Sequence, residues 1–485
     1  MDIRALILLV IAISVPLVLL ITGRRQALVV WVGITLFVHI FDTAIITNLP
    51  AGRIVGLVYL PYAMLSIHIW SRSTPAKVWL INLVYLIMLG IVFGYIWPWP
   101  DITKQRPFTM TAPGRTIVYL IRLISDLSLI VFMARELQKP ERINVLARAM
   151  VIGSSLTALA GIFYFITLID PYFTVTGLRD LGGNQRARGL SFEPRGLGMA
   201  CVYGLMILIL TPGRLSFKRI GLIVLNLLGF VASYSTSSLA LLVAGLVASW
   251  ILLSRRIRFN ILALLGIFGI LTSLAPILVP RQFQVAVQSV QERIDPTVKL
   301  RGAVAENVGQ AVAYRLDSFD ASALLFLMAN PEYAIIGTGP GMMLLPASEY
   351  VPPGIYSIMY PREKGLDGLP THGLLLEVSN SGIVGLGLWI VQVISCYAAL
   401  KMLSRNRADL HLKQVQSWQL GKAIFLIGTV FYIVQVSMTS PIWSVILGIG
   451  WAATAVISRR HIQEAASTPP RIVRGIAEAG PAPLV

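Results

Sequence analysis

The chain has 485 residues, of which 56% are hydrophobic and 13% charged, with 40 Lys+Arg against 22 Asp+Glu. A water-soluble domain cannot cover that much apolar surface, and apolar runs of about 20 residues recur, the length that crosses a bilayer core of about 30 Å. The formal charge of +18 lies in loops rather than on a soluble basic surface, which excludes nucleic acid as a partner.

In chain order, residues 3–22 form the first apolar run. It ends in Gly23-Arg24-Arg25 rather than in a small-residue cleavage site, so it reads as a span and not as a signal peptide. Further spans are predicted near 27–47, 52–70, 78–98, 116–134, 146–168, 195–211, 218–235, 237–254, 259–280, 373–400, 419–438 and 442–458. The class is an all-α polytopic membrane protein with about 12–13 transmembrane helices. Both cysteines, Cys201 and Cys396, fall inside these runs and face core or lipid, which leaves no disulfide framework and no zinc spacing.

Charge sorts the connections. Arg24-Arg25, Arg72 with Lys77, "ARELQKPERINVLAR", Arg214 to Arg219, Arg255 to Arg258, "KMLSRNRADLHLK" and the tail from Arg459 alternate with the connections 99–115, 169–194 and 281–371. The positive set is expected in the cytoplasm and the other set outside, with the N-terminus outside if the spans number thirteen. Four regions follow: an N-terminal bundle over 1–280, a large outer loop over 281–371, C-terminal spans over 372–458, and a Pro/Ala-rich cytoplasmic tail over 459–485 that reads as disordered. The outer loop opens on an amphipathic stretch, "RQFQVAVQSVQERI". A helix-like run follows, "AYRLDSFDASALLFLMANP", which Asn330-Pro331 ends.

Long loops in compact proteins carry function, so candidate chemistry is sought there first. Of five histidines, His39 and His68 lie inside spans, where interhelical packing competes with catalysis, and His411 and His461 lie in positive cytoplasmic segments. His372 stands where the outer loop meets the next span, in "THGLLLEVSNSGIVG". An imidazole there suits a general acid or base, or else a helix cap. Arg186, Arg188 and Arg195 occupy one outer connection, in "RARGLSFEPRGLG". Arg315 lies on the helix-like run of the other, among Tyr314, Leu316 and Phe319. Guanidinium is a planar fork for phosphate, although single arginines also snorkel to lipid headgroups. "GTGPGMM" is a glycine turn that either aims N–H groups at an anion or serves as a structural turn.

Absences narrow the chemistry. There is no Walker loop, and no Asp-x-Asp pair in an outer loop, Asp317 and Asp320 being the nearest approach. No metal site and no cofactor is expected. The intramembrane charges read from sequence are few: Asp42, and Arg122 with Asp126 four residues apart on one helix face. That argues against a flippase, which scatters charge along its path.

The order of these motifs resembles the O-antigen ligase and Wzy polymerase superfamily over roughly residues 150–400. "RARGLSFEPRGLG" looks like that family's arginine–glycine motif. "YRLDSFDASALLFLMANPEYAIIGTGPGMM" looks like its arginine-bearing loop helix, and "YSTSSLALLVAGL" like its Ser-rich segment. "THGLLLEVSNSGIVGLGLW" looks like its closing motif, with Gly382 and Gly385 after the histidine. The sequence departs at Gly373, where the family often has Asn or Ser, and at Ser238, where it often has arginine. The resemblance implies a metal-independent glycosyltransferase of the GT-C type in a bacterial inner membrane, its active site facing the periplasm. The donor would be an undecaprenyl-diphosphate-linked glycan.

Carried over, the family's diphosphate-binding arginines fall on Arg186 or Arg188 and on Arg315, and its catalytic histidine falls on His372. Glu193 is a second base or an orienter of Arg195, and those two roles stay open. The acceptor is another lipid-linked repeat unit in a polymerase, or lipid A–core in a ligase. "FEP" at Phe192 to Pro194 resembles the polymerase branch. Membrane lipids and other polysaccharide-assembly proteins are the further partners implied. Competing readings are a lipid-linked oligosaccharide transporter and a non-catalytic export scaffold.

Overall fold

The computed structural model describes residues 3–41, 51–70, 73–96, 111–176, 187–191, 193–213, 215–233, 235–252, 255–278, 284, 318–343, 345–350, 372–405, 411–435 and 441–467. No strand occurs among them. The first half comprises α1 (Ile3–Ile21), α2 (Arg25–Thr35), α3 (Ala51–Trp70), α4 (Thr74–Ile91, prolonged by a wider turn over Val92–Ile96), α5 (Ala112–Glu136), α6 (Glu141–Thr167) and the short α7 (Pro171–Thr176). Then come α8 (Pro194–Leu210), α9 (Phe217–Ser233), α10 (Thr236–Leu252) and α11 (Arg255–Leu278). The long connection over 281–371 contributes α12 (Ser318–Ala329) and α13 (Pro331–Ile336), and α14 (Gly373–Arg405), α15 (Leu412–Gln435) and α16 (Ile442–Ser467) complete the described helices.

Among the described residues, six helices are long and apolar enough to cross a membrane: Thr74–Ile96, Ala112–Glu136, Glu141–Thr167, Gly373–Arg405, Leu412–Val434 and Ile442–Arg460. Shorter apolar helices stand among them, Pro194–Leu210 and Ser237–Ile251 included. The way α6 divides its faces shows why the chain is a multi-pass membrane protein. Ile143, Leu146, Met150 and Ala158 are buried against α2, α8 and α9, while Ile152, Leu156, Leu159, Phe163 and Ile166 are exposed at helical spacing. A continuous apolar face of that length is stable against lipid and not against water. Cys201 and Cys396 are both buried in the core as free thiols.

Polar contacts gather the connections at two ends. At one end Glu136 meets both Arg25 and Arg142, and Asn144 donates to Ser417 at 2.8 Å. At the same end Arg219 donates to the last carbonyls of α8, and Asn260 reaches Ile209 O. These belong to the positive set. At the other end Tyr85 donates to Ile336 O, His39 N–H to Leu190 O, and Ser238 touches the Arg195 carbonyl. The described contacts of the positive connections thus gather at one end, and those of residues 187–195 and of α13 lie at the other.

Four details depart from the sequence expectation. The span placed over 27–47 is helical only to Thr35, and 11 residues rise only about 16 Å. A turn and a short 3-10 segment, His39–Phe41, take over. Thr157 Oγ1 donates to the buried Phe37 carbonyl, freed where the helix ends, at 2.8 Å, and residues 187–191 pack there. The tail boundary at 459 is also overrun, because α16 continues to Ser467. Thirdly, Asp126 takes its ion pair from another helix and not from Arg122 on its own. Its carboxylate is forked by Arg53 of α3, at 2.8 and 2.9 Å, an intramembrane charge that the sequence expectation omitted.

The fourth is the largest. The span placed over 373–400 is broken, with Gly382 at φ 63°, ψ −164° inside α14. Gly373 and Trp389, 16 residues apart, both lie against Tyr432. A Cβ at Gly373 would run into the Tyr432 carbonyl and ring, and the Trp389 ring stacks on that ring at 5.5 Å. A continuous helix would separate the two by about 24 Å. The chain therefore turns sharply at Gly382. A first arm over 373–381 leads back toward Tyr432, and the second, over 383–405, makes the crossing.

A broken helix inside a membrane must have its freed carbonyls met by protein. The glycine turn does this: Thr338 N–H donates to Ser379 O at 2.8 Å, Gly339 N–H to Asn380 O at 3.1 Å, and Gly341 N–H to Asn380 Oδ1 at 3.0 Å. Gly337, at φ 85°, lies so close to Asn380 O that no side chain fits. Of the two readings of "GTGPGMM", the structural turn is the one found. Its N–H groups face α14, not an anion.

Candidate functional site

His372 immediately precedes the first arm of α14. Its backbone N–H donates to Asp320 Oδ1 at 3.2 Å, and its Nε2 faces Asp320 Oδ2 at 4.0 Å. Asp320 is fully buried on α12 between apolar neighbours, Ala321 and Ala323 among them. A carboxylate without water needs partners, and the helix N-terminus beside it and the imidazole supply them. About a third of the His372 side chain is exposed to water, and the carboxylate faces Nε2 from beyond hydrogen-bond distance. An imidazole beside a buried carboxylate and open to water has the makings of a general base.

Gly373, the next residue, lines a cavity of about 100 Å³ in the middle of the bundle. Its walls come from α3, α4, α5, both arms of α14, α15 and α16. The Arg53–Asp126 fork lies on one side and Glu377 on another, where Glu377 accepts the Tyr432 hydroxyl at 2.6 Å. Trp389, Tyr432 and Trp443 form a stack in its wall. Asn82, Trp389 and Gln392 line it, and each carries a buried polar atom without a hydrogen-bond partner. An intramembrane site this rich in polar groups is costly to fold and is by default functional.

The arginine segment is a separate structure. Residues 187–191 are wedged between the end of α2, α6 and α9, with Ala187 N–H donating to Ala232 O at 3.3 Å and Gly189 (φ 63°) against Thr157 O. Arg188 is buried, its guanidinium 4.7 Å above the Phe173 ring and its Nε 3.9 Å from Asp170 Oδ2. Asp170 in turn caps α7 through the Tyr172 N–H at 2.9 Å. Glu193 is the exposed residue before α8, its carbonyl accepting the Gly196 N–H at 3.0 Å. Arg195 is half-buried, and Ser238 fills the space beside it against Gly198, where an arginine would not fit. Arg186 and Arg315 lie outside the described residues, as does most of the 281–317 stretch.

Of the residues named from sequence, the structure brings His372 to Asp320 and Arg188 to Asp170. The two sets share one end of the bundle and are linked through packed helices. Ser238 of α10 meets Arg195, Gly245 of α10 packs on Phe431 of α15, and Tyr432 lies under Gly373. Glu377, Arg53, Asn82 and Gln392 were missed, and Asp320 was read only beside Asp317 as the nearest approach to an acidic pair, not as the partner of His372. Arg53 and Gln392 carried little signal, since each looks like a polar residue at the edge of a hydrophobic window. No protein-family model matches this chain, and a search of curated proteins finds no match.

Proposed function

We propose that the protein is a membrane glycosyltransferase that takes glycan from an undecaprenyl-diphosphate-linked donor at the periplasmic face of a bacterial inner membrane. The acceptor is a second lipid-linked repeat unit, which makes the reaction a polymerisation. The observation that carries this reading is the solvent-reached His372 imidazole backed by the buried Asp320 carboxylate at the mouth of a re-entrant helix arm. The motif resemblance supports the same reaction.

The ring nitrogen of His372 that does not face Asp320 takes the proton from an acceptor hydroxyl, whose oxygen attacks the anomeric carbon. The bond from that carbon to the diphosphate oxygen breaks, and the lipid diphosphate leaves with both electrons of the bond. Arginine stabilises the charge that develops on it. Arg315 and Arg186 are the candidates for this role. Arg188 joins them only by giving up Asp170, since its guanidinium is already engaged.

The test is incubation of purified protein with a lipid-diphosphate repeat unit alone, in EDTA. A ladder of lengths is expected. Product that forms only after lipid A–core is added would make the enzyme a ligase. No product with either acceptor overturns the reading. A transporter is the second reading, and the buried Arg53–Asp126 pair favours it, because intramembrane charges mark translocation paths. Glycan moving across proteoliposomes without bond formation would establish it.

A further inference from the structure

At the end of the bundle away from His372, the α1–α2 and α5–α6 connections meet on one carboxylate, Glu136. Together they bring Arg24, Arg25, Arg135, Lys139 and Arg142 against only two acids, Glu136 and Glu141. Glu136 is buried and shared. Arg142 contacts one of its oxygens, while Arg25 Nη1 stands 3.7 Å from the other, beyond hydrogen-bond distance. Arg135 has no carboxylate partner among the described residues, and its guanidinium lies 4.2 Å above the Tyr62 ring. Arg25 and Arg135 both act on the Tyr59 hydroxyl, so the guanidinium groups share one neighbourhood.

Other arginines at this end serve the fold. Arg219 donates to the Ile209 and Thr211 carbonyls, and Arg258 donates to the Trp250 carbonyl. The charge around Glu136 is in excess instead, and it is accessible. The Arg25 side chain is 38% exposed, and Arg24 and Lys139 are exposed as well. Both α2 and α6 begin here with no side-chain cap, and helix N-termini favour an anion. The apolar surroundings select which anion. Ile13, Leu17, Val18 and Ile21 of α1 are exposed along one side, leading up to Gly23-Arg24-Arg25. That face suits acyl chains, and a free phosphate has no use for it. A zwitterionic headgroup brings its own cation and leaves the excess unmet. A net-anionic phosphodiester meets both, because guanidinium forks pair with phosphate oxygens.

We propose that Arg25, Arg135 and Arg142 bind the phosphate of a net-anionic phospholipid from the leaflet at this end, with its acyl chains along the exposed face of α1. Basic pockets between membrane helices hold such headgroups through the same chemistry. The site lies at the opposite end from His372 and stands whether or not the protein transfers glycan.

Full-length protein in a neutral detergent is titrated with dioleoyl phosphatidylglycerol or dioleoyl phosphatidylcholine, and retained lipid is counted by native mass spectrometry. Phosphatidylglycerol is expected to be retained at lower concentration than phosphatidylcholine. Arg25→Gln and Arg135→Gln should each weaken its retention about fivefold, the effect of one basic residue near an anionic surface. Arg258→Gln removes the same charge from the same end and should leave retention unchanged. A drop of equal size in that variant would mean diffuse attraction and overturns the site. Equal retention of the two lipids overturns it too. Displacement of the lipid by inorganic phosphate or glycerophosphoglycerol at equal concentration would make the site one for a soluble anion, which also overturns the proposal. Should the two arginine variants fail to fold, the exposed Arg24→Ala and Lys139→Ala carry the test. Each should weaken phosphatidylglycerol and leave phosphatidylcholine unchanged, and wild-type retention in both sinks the proposal.

Discussion

The arginine segment and the His372 region look alike in sequence, as charged residues beside long apolar runs, and they fold in opposite ways. Arg188 is buried with its needs met at home: a carboxylate beside it, an aromatic face beneath it, and a backbone held by Ala232 and Thr157. The His372 region instead leaves about a third of an imidazole open to water and lines a cavity with side chains that carry buried, unpartnered polar atoms. A buried charge whose partners are complete holds a fold together. A buried polar set that is incomplete is shaped for something else.

The sharpest way to break the contrast is His372→Ala. Loss of a general base removes on the order of 10²–10⁴-fold of rate. The transfer rate is expected to fall by at least about 10²-fold while the melting temperature holds, and near-wild-type turnover would end the catalytic assignment. Next in size is the Arg53–Asp126 fork. Arg53→Leu alone leaves a buried carboxylate unpaired and should cost about 3–5 kcal/mol in thermal unfolding, most of it regained in the double variant with Asp126→Leu. Equal losses in single and double variants would mean that the fork does more than neutralise itself.

Gly382→Ala is smaller in energy and wider in reach. The positive-φ, extended-ψ backbone, a conformation nearly confined to glycine, costs about 1–3 kcal/mol for an L-residue, before the contact with the Ile335 carbonyl is added. Because the turn at Gly382 places the first arm, stability and transfer should fall together. A stable variant with full activity would show that the arm is not held by this turn. The mildest change is Arg188→Lys, which keeps the charge near Asp170 and gives up stacking on Phe173, worth about 0.5–1 kcal/mol. Only stability should move slightly. A large drop in transfer with unchanged melting would transfer Arg188 from the packing region to the binding one.

The reading of sequence as a membrane-spanning all-α chain rested on composition and on the length of apolar runs, which the solvent alone dictates. The assignment of connections to two ends followed from charge for the same reason. His372 stood out because it is a titratable residue at a boundary. Its partner Asp320 did not, because the two are 52 residues apart and meet only when α12 packs beside the first arm of α14. Hydropathy also ran straight through Gly382, since Ile, Val, Leu and Gly score alike whether a helix continues or turns back.

What the sequence determined by itself is therefore the solvent of each segment: which runs face lipid, which loops carry positive charge, and which residues are too polar to be there by accident. Only the tertiary structure decided which of those polar residues meet. The re-entrant arm, the glycine turn that caps it, the Arg53–Asp126 fork and the shared cavity all depend on contacts between residues far apart in the chain. Periodicity records which face of a helix is apolar, but it carries no trace of which distant carbonyl or carboxylate that face will find.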